Sequence, residues 1–290
     1  MNVKKGVILC GGLGTRFLPA TKSLPKEMLP VVDTPVLQFI AEEMVLSGID
    51  KICIVVSPGK EDIERHFTKN DMLCRRLEAG GKTAELETVK SIGSGAEFTF
   101  VTQYEPKGMA DALMLARKFV GDDAFVLSTG DDLVYADVPV SKQMIDAFDG
   151  NCDAVIGGQY VPDDKVSLYG IAATGGTVGG NERTLRCNHI VEKPAKADAP
   201  SNYAALGRYV LNSAIFDKIS QIQPDKKGEF QVTDALKLLC NDGRAYFYNF
   251  EGKRYDMGSK AGAVIASIEY ALRHSETKDE VFAYLKGLNK

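Results

Sequence analysis

Histidine and paired cysteines are scarce in this chain of 290 residues. It contains three histidines and six cysteines, and no two cysteines form a CxxC pair or a zinc-ligand spacing with histidine. With only three histidines, a catalytic centre based on histidine is disfavoured. Cysteines that are spread singly are typical of buried or half-buried thiols and disfavour both a zinc site and a disulfide framework.

Long apolar runs and a strong charge of one sign are also missing. The first apolar run, GVILC at 6–10, stops at glycines, well short of the roughly 20 apolar residues that a membrane span needs. The 35 basic and 39 acidic residues give a formal charge of −4, and no block of like charge would follow a nucleic-acid backbone. We therefore expect a cytoplasmic protein that binds a small molecule, with neither nucleic acid nor membrane as a partner.

Strand and helix patterns alternate through the first half of the chain. The predicted strands are 6–10, 51–57, 97–104 and 124–132. The predicted helices are 34–47, a polar helix at 61–69, a helix pair over 71–92 broken at Gly80-Gly81, and 108–120. In the first helix Thr34 is the predicted N-cap, Pro35 the first helical residue and Gly48 the stop. This order predicts an α/β fold with a Rossmann-like doubly wound sheet that is largely parallel in this half.

The second half of the chain has a different sequence pattern, in which strand-like segments predominate. Strand-like segments with interspersed Gly, Asn and Pro predict an antiparallel extension of the sheet that forms a substrate pocket, which makes the whole sheet mixed. The segments are DAVIGGQYV, YGIAAT, TLRCNHIV and YAALGRYVL. From Ser259 onward the pattern predicts one or two closing helices, packed on the core or on another subunit. No linker or repeat divides the chain, so we expect a single domain over 1–290.

Residues 10–29, CGGLGTRFLPATKSLPKEML, follow the first strand and suggest a phosphate-binding loop. A dinucleotide fingerprint is disfavoured, because Phe17 occupies the position of the third glycine and Asp33 comes before the helix. A Walker A loop is disfavoured too, since the only Gly-Lys-Thr, at 81–83, follows a helical segment. The remaining interpretation is a glycine turn that approaches an anion, followed by Arg16 and lysines; the alternative is a tight turn with solvated cations.

The stretch GGLGTRFLPATKSLPKEMLPVVDTP at 11–35 resembles the signature G-x-G-T-R-x-x-P-x-T…P-K-x-x-L-P of the sugar-1-phosphate nucleotidylyltransferases. Its KEMLPVVD segment has the form found in the UTP–glucose-1-phosphate uridylyltransferases of that family. The resemblance covers essentially the whole chain through GDD at 130–132, YG at 169–170, VEKP at 191–194, LGRYVL at 206–211, GEFQVTDAL at 228–236 and GKRYDMGSKAG at 252–262.

The resemblance implies a reaction, a metal and a set of site residues. UTP and glucose 1-phosphate would give UDP-glucose and pyrophosphate by direct in-line attack on the α-phosphorus, with Mg²⁺ as the cofactor and polysaccharide or glycolipid synthesis as the use. The implied catalytic residues are Arg16, Lys26, Asp131 and Lys193. The implied nucleotide-binding residues are Gly11, Gly12, Gly14, Thr15, Gln103 and Gly108. The implied sugar-binding residues are Gly170, Glu192 and Lys193, and the implied metal ligands are Asp131 and Asp256, with Asp132 as a further candidate.

By the same resemblance, residues 1–150 form mainly a nucleotide-binding half, 151–258 mainly a sugar-binding half, and 259–290 closing or oligomerisation helices. A homodimer or homotetramer is the expected assembly. On the residues alone, Asp131 also fits a turn, Asp256 a helix cap, and Glu192-Lys193 a solvated strand end.

Two departures from the uridylyl pattern leave the identity of the nucleotide base undecided. The segment GMADA at 108–112 stands where that group usually has G-L-G-H-A, and LCGG at 9–12 is closer to the thymidylyl relatives. The alternatives are therefore dTTP, or another sugar 1-phosphate. A glycosyltransferase is a different class, disfavoured because it has no leaving pyrophosphate for Arg16 to bind. A non-catalytic subunit is disfavoured because the implied cations and aspartates are all present.

Overall fold

The computed structural model describes residues 3–288. The strands are β1 (Lys5–Cys10), β2 (Pro30–Val31), β3 (Thr34–Pro35), β4 (Lys51–Val56), β5 (Glu97–Thr102), β6 (Phe125–Thr129), β7 (Asp132–Tyr135), β8 (Ala154–Tyr160), β9 (Gly170–Val178), β10 (Asn181–Glu192), β11 (Tyr203–Leu211), β12 (Ala245–Asn249) and β13 (Lys253–Asp256). The α-helices are α1 (Val36–Leu46), α2 (Glu61–Phe67), α3 (Asp71–Ala79), α4 (Thr83–Ser91), α5 (Met109–Leu115), α6 (Arg117–Val120), α7 (Val140–Ala147), α8 (Ala214–Ile219), α9 (Val232–Asn241), α10 (Lys260–Ala271) and α11 (Lys278–Leu288). Short 3₁₀ turns cover Thr15–Phe17, Ala20–Lys22, Lys26–Met28, Asp163–Leu168 and Lys196–Asp198.

Within residues 3–288, nine strands form one mixed sheet in the order β5-β4-β1-β6-β11-β8-β12-β10-β9. The four strands from the first half pair in parallel, and β12 is parallel to β8. The other pairings in the sheet are antiparallel. The predicted mixed, doubly wound α/β fold is confirmed, and so is its antiparallel extension in the second half.

Both faces of the sheet are covered by helices, which explains the continuous apolar sequence of β1. Val7 and Leu9 pack on one face, in a cluster with residues of α5, α8 and α9. Ile8 and Cys10 pack on the other face with residues of α1, α7 and α10. Successive side chains of a strand alternate between the two faces of the sheet. A strand that is buried on both faces is therefore apolar at every position.

The start of the first helix differs from the prediction. Thr34 is not the N-cap and Pro35 is not the first helical residue; both form β3, which pairs with β2, and α1 begins at Val36. Pro35 is extended, with φ −59° and ψ 143°, because the short hairpin holds it opposite Pro30. The hairpin therefore overrides a proline that local preference places inside the helix. The predicted stop is correct, since Gly48 lies just after α1 at φ 91°.

The predicted helix over 108–120 divides into α5 and α6. The backbone tightens at Ala116, whose N–H donates to the carbonyl of Leu113, three residues back, and whose ψ is −2°. The helix pair over 71–92 is confirmed as α3 and α4, separated at Gly80-Gly81, where Gly81 has φ 67°.

The C-terminal segment and the cysteines also have the structure that their sequence patterns predict. The segment after Ser259 forms α10 and α11, and the Ser259 side chain caps α10 by accepting the N–H of Gly262 at 3.0 Å. Five of the six cysteines are buried and Cys74 is half-buried; all six are free thiols. Among the helices of residues 3–288, none has the length and apolar content needed to cross a bilayer.

Candidate functional site

The glycine loop at 11–14 leaves the carboxyl end of β1 and turns beneath Lys26. Gly14 adopts φ 67°, and its carbonyl accepts the N–H of Phe17 at 2.9 Å and the hydroxyl of Thr21 at 2.8 Å. A Cβ on Gly12 would lie 3.3 Å from both Cε and Nζ of Lys26. The bare backbone of the loop therefore faces an ammonium group across a gap in which a side chain would intrude, as a phosphate cradle requires.

Two predicted acidic residues meet because β7 and β13, which are far apart in the sequence, form a two-stranded antiparallel sheet. The antiparallel register of this sheet pairs Asp132 with Asp256, so Asp131, the residue immediately before β7, lies close to Asp256. A Cβ on Gly258 would lie 3.1 Å from Asp256 Oδ1 and 3.7 Å from Asp131 Oδ2. Residues that are 125 positions apart, from 131 to 256, thus present their carboxylates to the same point.

The predicted cations approach this point from the glycine loop. Arg16 Nη1 donates to the carbonyl of Gly258 at 2.9 Å, and Lys26 Nζ forms an ion pair with Asp131. Burial lowers the pKa of Lys26, but the negative charges of Asp131 and Glu27 and the hydrogen bond to Asp131 outweigh it and raise the pKa overall. Lys26 therefore keeps its proton and remains a cation.

Two clefts meet at this cluster. One, of about 200 Å³, opens over the glycine loop and includes Thr15 and Lys26. The other, of about 260 Å³, extends towards Lys193 and includes Asp256. Arg16, Asp131 and Gly258 line both. The geometry provides two neighbouring polar compartments with cations and carboxylates at their common wall.

Of the predicted sugar residues, Lys193 lines the second cleft, and Glu192 and Gly170, which pair between β10 and β9, are its neighbours. Lys193 Nζ forms an ion pair with Glu192 Oε1 at 2.9 Å, and Glu192 Oε2 accepts a hydrogen bond from the hydroxyl of Thr233 at 2.7 Å. A Cβ on Gly170 would lie 3.3 Å from Glu192 Oε2. Gly170 therefore leaves open the space in front of a carboxylate. Thr233, at the start of α9, was not predicted, because only the sheet and helix packing bring it to Glu192.

The predicted base-binding residues form a separate group at the end of β5. Gln103 is buried, and a Cβ on Gly11 would lie 3.0 Å from its Oε1. Gly108 has φ 98°, and a Cβ there would lie 2.6 Å from the carbonyl oxygen of Phe230. Phe230 is held against this loop by hydrogen bonds to the backbones of residues 107 and 110. The segment around 228–236 thus supports the loop that carries Gly108.

A buried ion pair beneath the glycine loop was also missed. Lys60 Nζ donates to the carbonyls of Cys10 at 2.6 Å and Gly12 at 2.7 Å, and lies 2.9 and 2.8 Å from the two carboxylate oxygens of Glu27. Burial raises the pKa of Glu27, although Lys60 and Lys26 act in the opposite direction. Because Lys60 binds the last carbonyl of β1 and the carbonyl of Gly12, it holds the glycine loop against the end of the strand. Lys60 sits in a polar stretch, so no sequence signal distinguishes it.

Asp132 lies in the second cleft, but its carboxylate already has a partner. Arg254 forms an ion pair with it and also donates to the hydroxyl of Tyr169 at 3.1 Å. Buried Arg208 donates to the Asp132 carbonyl at 2.9 Å and pairs with Glu43. These contacts fix the loop after β6 and tie Asp132 to β13, whereas Asp131 pairs with Lys26 beside the glycine loop.

Comparisons with known proteins identify the family of this chain. The model of the family described as nucleotidyl transferase matches residues 5–271, and the chain therefore belongs to that family. It is 43% identical to the UTP–glucose-1-phosphate uridylyltransferase of Bacillus subtilis (strain 168) over 287 residues, which cover 99% of this chain and 97% of the relative.

Solved structures show the same similarity. A UTP-bound UGPase from Acinetobacter baumannii is 34% identical, with a TM-score of 0.88 and 98% of each chain covered. A UDP-glucose pyrophosphorylase complexed with UDP-glucose is 34% identical, with a TM-score of 0.85, and covers 94% of this chain and all of its own. The predicted family is thereby confirmed.

Proposed function

We propose that this nucleotidyltransferase joins UTP to glucose 1-phosphate, releasing pyrophosphate and forming UDP-glucose. The observation that carries this proposal is the meeting of Arg16, Lys26, Asp131 and Asp256 at the common wall of two polar clefts. The names of the relatives, uridylyltransferase and UDP-glucose pyrophosphorylase, support UTP and glucose 1-phosphate as the substrates.

The chemistry needs positioning and charge stabilisation, without a covalent nucleophile. An oxygen of the sugar phosphate attacks the α-phosphorus of UTP in line, the bond to the β-phosphate oxygen breaks, and pyrophosphate leaves with the electron pair. Arg16 supplies a planar fork for the β- and γ-phosphates, and Lys26 reaches both the nucleotide and the sugar phosphate from above the glycine loop. Lys193 neutralises the sugar phosphate from the other end.

The two binding ends follow from the same geometry. Gly11, Gly12, Gly14 and Thr15 present backbone groups to the nucleotide, and Gln103 with Gly108 borders the base. On the sugar side, Glu192 accepts hydrogen bonds from hexose hydroxyls in the space that Gly170 leaves open. This division supports the proposal that 1–150 mainly binds the nucleotide and 151–258 mainly the sugar, within one domain whose sheet contains strands of both halves.

Mg²⁺ is the proposed cofactor, held by Asp131 and Asp256. The donor set fits, because Mg²⁺ prefers oxygen ligands and is commonly bound by one or two carboxylates together with substrate phosphates. Among residues 3–288 no group of three or more His, Cys, Asp or Glu side chains forms a complete protein cage for a metal, so the phosphates would supply further ligands. When bound, the ion would neutralise phosphate charge. Asp131 also pairs with Lys26, which links the ion's ligand to the lysine that contacts substrate.

A substrate panel tests the proposed reaction. Pyrophosphate release from glucose 1-phosphate is measured with UTP, dTTP, CTP, ATP and GTP, each with Mg²⁺ and with chelator. We expect UTP to be preferred and chelator to abolish turnover. A strong preference for dTTP would overturn the uridylyl assignment, and equal turnover by Asp131→Asn would overturn the role of that carboxylate. Asp122→Asn, at an exposed aspartate outside the site, is the matched control.

We also propose that the C-terminal helices mediate a homodimer or homotetramer. Their exposed apolar side chains support this: Val264, Ile265, Phe282, Tyr284 and Leu288. Apolar side chains that form a contiguous patch on a protein surface commonly mark an interaction site. Light scattering should give two or four times the chain mass, and Ile265→Glu with Phe282→Glu should lower it. A wild-type mass of one chain contradicts the proposal.

The cytoplasm is the proposed compartment. Six free thiols support it, because reducing compartments keep cysteines unpaired. Fractionation of cells that express the full chain, with detection by antibody, tests this location, and recovery outside the cytoplasmic fraction contradicts it.

A further inference from the structure

The side-chain amide of Gln103 has a fixed orientation, imposed by Asp111. Gln103 Nε2 donates to Asp111 Oδ2 at 2.8 Å and to the carbonyl of Gly108 at 3.3 Å. A carboxylate and a carbonyl can only accept hydrogen bonds, so the amide NH₂ must face them. Its carbonyl oxygen Oε1 then points the other way, towards the glycine loop, where a Cβ on Gly11 would lie 3.0 Å from it.

Reversing this amide would be costly. Gln103 is only 5% exposed, so water cannot replace hydrogen bonds that its side chain loses. Its backbone N–H donates to the carbonyl of Val56 at 2.7 Å, which fixes the position of the residue. A flipped amide would place Oε1 against the Asp111 carboxylate and the Gly108 carbonyl, and two acceptor contacts would replace two hydrogen bonds. An unsatisfied buried polar group loses more than the net gain of one hydrogen bond.

We propose that Asp111 is a positioning residue that sets base specificity by presenting the carbonyl oxygen of Gln103 to the base. This inference rests on the proposed function and deepens it. An acceptor at this place selects a pyrimidine whose ring N3 bears a hydrogen, as in uracil and thymine. Cytosine has a lone pair at N3. This lone pair would face the carbonyl oxygen of Gln103, which is also an acceptor and which Asp111 prevents from rotating.

The sequence position of Asp111 makes this assignment specific to the chain. It is the fourth residue of GMADA, where the similar uridylyl pattern usually has histidine. A neutral imidazole has one donor and one acceptor nitrogen and could serve either orientation of an amide, whereas a carboxylate allows one. The departure from the pattern therefore strengthens the selection of an N3–H base, while it does not separate UTP from dTTP.

Two variants of Asp111 test the inference. Asp111→Asn has the same size but offers either a donor or an acceptor, and Asp111→Ala removes the partner. With glucose 1-phosphate as the second substrate, kcat/KM is measured for UTP, CTP and dTTP. We expect the UTP-to-CTP ratio to fall at least about tenfold in both variants, mainly through KM. The ratio of UTP to dTTP and the KM for glucose 1-phosphate should stay unchanged, because both bases have the N3 hydrogen and the sugar end is remote.

Controls separate this role from a structural one and from the proposed function. Asp122→Asn should leave all ratios unchanged, and thermal melting should show that the Asp111 variants are folded. An unchanged UTP-to-CTP ratio in both Asp111 variants overturns the inference while wild-type turnover leaves the proposed function intact. If the wild type does not turn over UTP at all, the proposed function fails instead. Calorimetric binding of UTP and CTP to the same variants then decides the inference on its own.

Discussion

Two Glu–Lys pairs of nearly equal length differ in burial, one beneath the glycine loop and one at the end of β10. Lys60 and Glu27 are 2.8 Å apart with side chains 8% and 1% exposed, whereas Lys193 and Glu192 are 2.9 Å apart with side chains 60% and 27% exposed. The distance between the charged atoms does not distinguish them. Burial and the other partners do, and they give the two pairs different tasks.

The buried pair is almost completely shielded from solvent, and Lys60 completes its contacts with the carbonyls of Cys10, at the end of β1, and Gly12, in the glycine loop. Removing one partner of a buried pair leaves a charge without compensation. The exposed pair contributes little to stability, because water screens it, and its carboxylate remains available to a ligand. The first pair thus fixes the loop, and the second is free to exchange partners when substrate binds.

The largest expected effect is that of Lys60→Met. The change leaves the Glu27 carboxylate unpaired and the carbonyls of Cys10 and Gly12 without their donor, so the free energy of unfolding should fall by about 3–5 kcal/mol. Urea denaturation at pH 7 measures it. The deficit should shrink as the pH falls, since burial raises the pKa of Glu27 and an unpaired carboxyl binds a proton more readily in the folded state.

The double variant Lys60→Met/Glu27→Gln is the control for this change. It removes both charges, and should be less destabilised than Lys60→Met alone. If the single variant unfolds within about 0.5 kcal/mol of the wild type, the buried pair does not fix the loop.

Arg16→Ala should affect turnover and spare stability. Arg16 is exposed and borders both clefts, so its loss removes charge stabilisation of the leaving pyrophosphate at a cost on the order of 3 kcal/mol, a hundredfold or more in kcat. Steady-state kinetics with UTP and glucose 1-phosphate measure it, and denaturation should change by less than about 0.5 kcal/mol. Arg16→Lys, which keeps the charge without the planar fork, should recover only part of the rate. Full activity in Arg16→Ala contradicts the assignment.

Glu192→Gln tests the exposed pair directly. A lost hydrogen bond between a carboxylate and a sugar hydroxyl is worth roughly 1.5–3 kcal/mol, so the KM for glucose 1-phosphate should rise about tenfold or more. Stability should change by less than about 1 kcal/mol, in contrast to Lys60→Met. An unchanged KM, or a loss of stability as large as that of the buried pair, removes the distinction between the two pairs.

A third Glu–Lys pair, Glu269 and Lys253, adds a test in which the stability of the fold depends on pH. Glu269 accepts hydrogen bonds from Lys253, from the Tyr255 hydroxyl and from Arg273, which together lower its pKa to about 2 against a weaker opposing effect of burial. An acid whose pKa is lower in the folded state stabilises the fold above its ordinary pKa of about 4.5 and loses this contribution as the pH falls towards 2.

The measurement is the melting temperature of the wild type and Glu269→Gln between pH 7 and pH 2.5. The variant should melt slightly lower at pH 7, and the difference should close as the pH falls through 4.5 towards the acid limit. A difference that is constant with pH contradicts the role of this carboxylate. We expect this to be the smallest of the four effects, since the group lies near the surface.

Local pattern was sufficient for the elements and insufficient at their junctions. The apolar runs of β1 and β4 and the break at Gly80-Gly81 follow from side-chain periodicity and glycine, and all are confirmed. The start of α1 was wrong because pairing between Pro30 and Pro35, a tertiary contact of the chain with itself, overrode the local preference. Periodicity does not record such a contact.

By itself, the sequence determined the fold class, the family and most of the residues that border the clefts, because these depend on local pattern and on a long signature of residues. The resemblance named both Asp131 and Asp256, but only the tertiary structure showed how they meet, since the register of β7 and β13 brings one close to the other. The tertiary structure alone also assigned Lys60 to the glycine loop and Asp111 to the amide of Gln103. The physical reason is that an ionic or hydrogen-bonded contact depends on distance and burial in space, and neither is encoded by the spacing of residues along the chain.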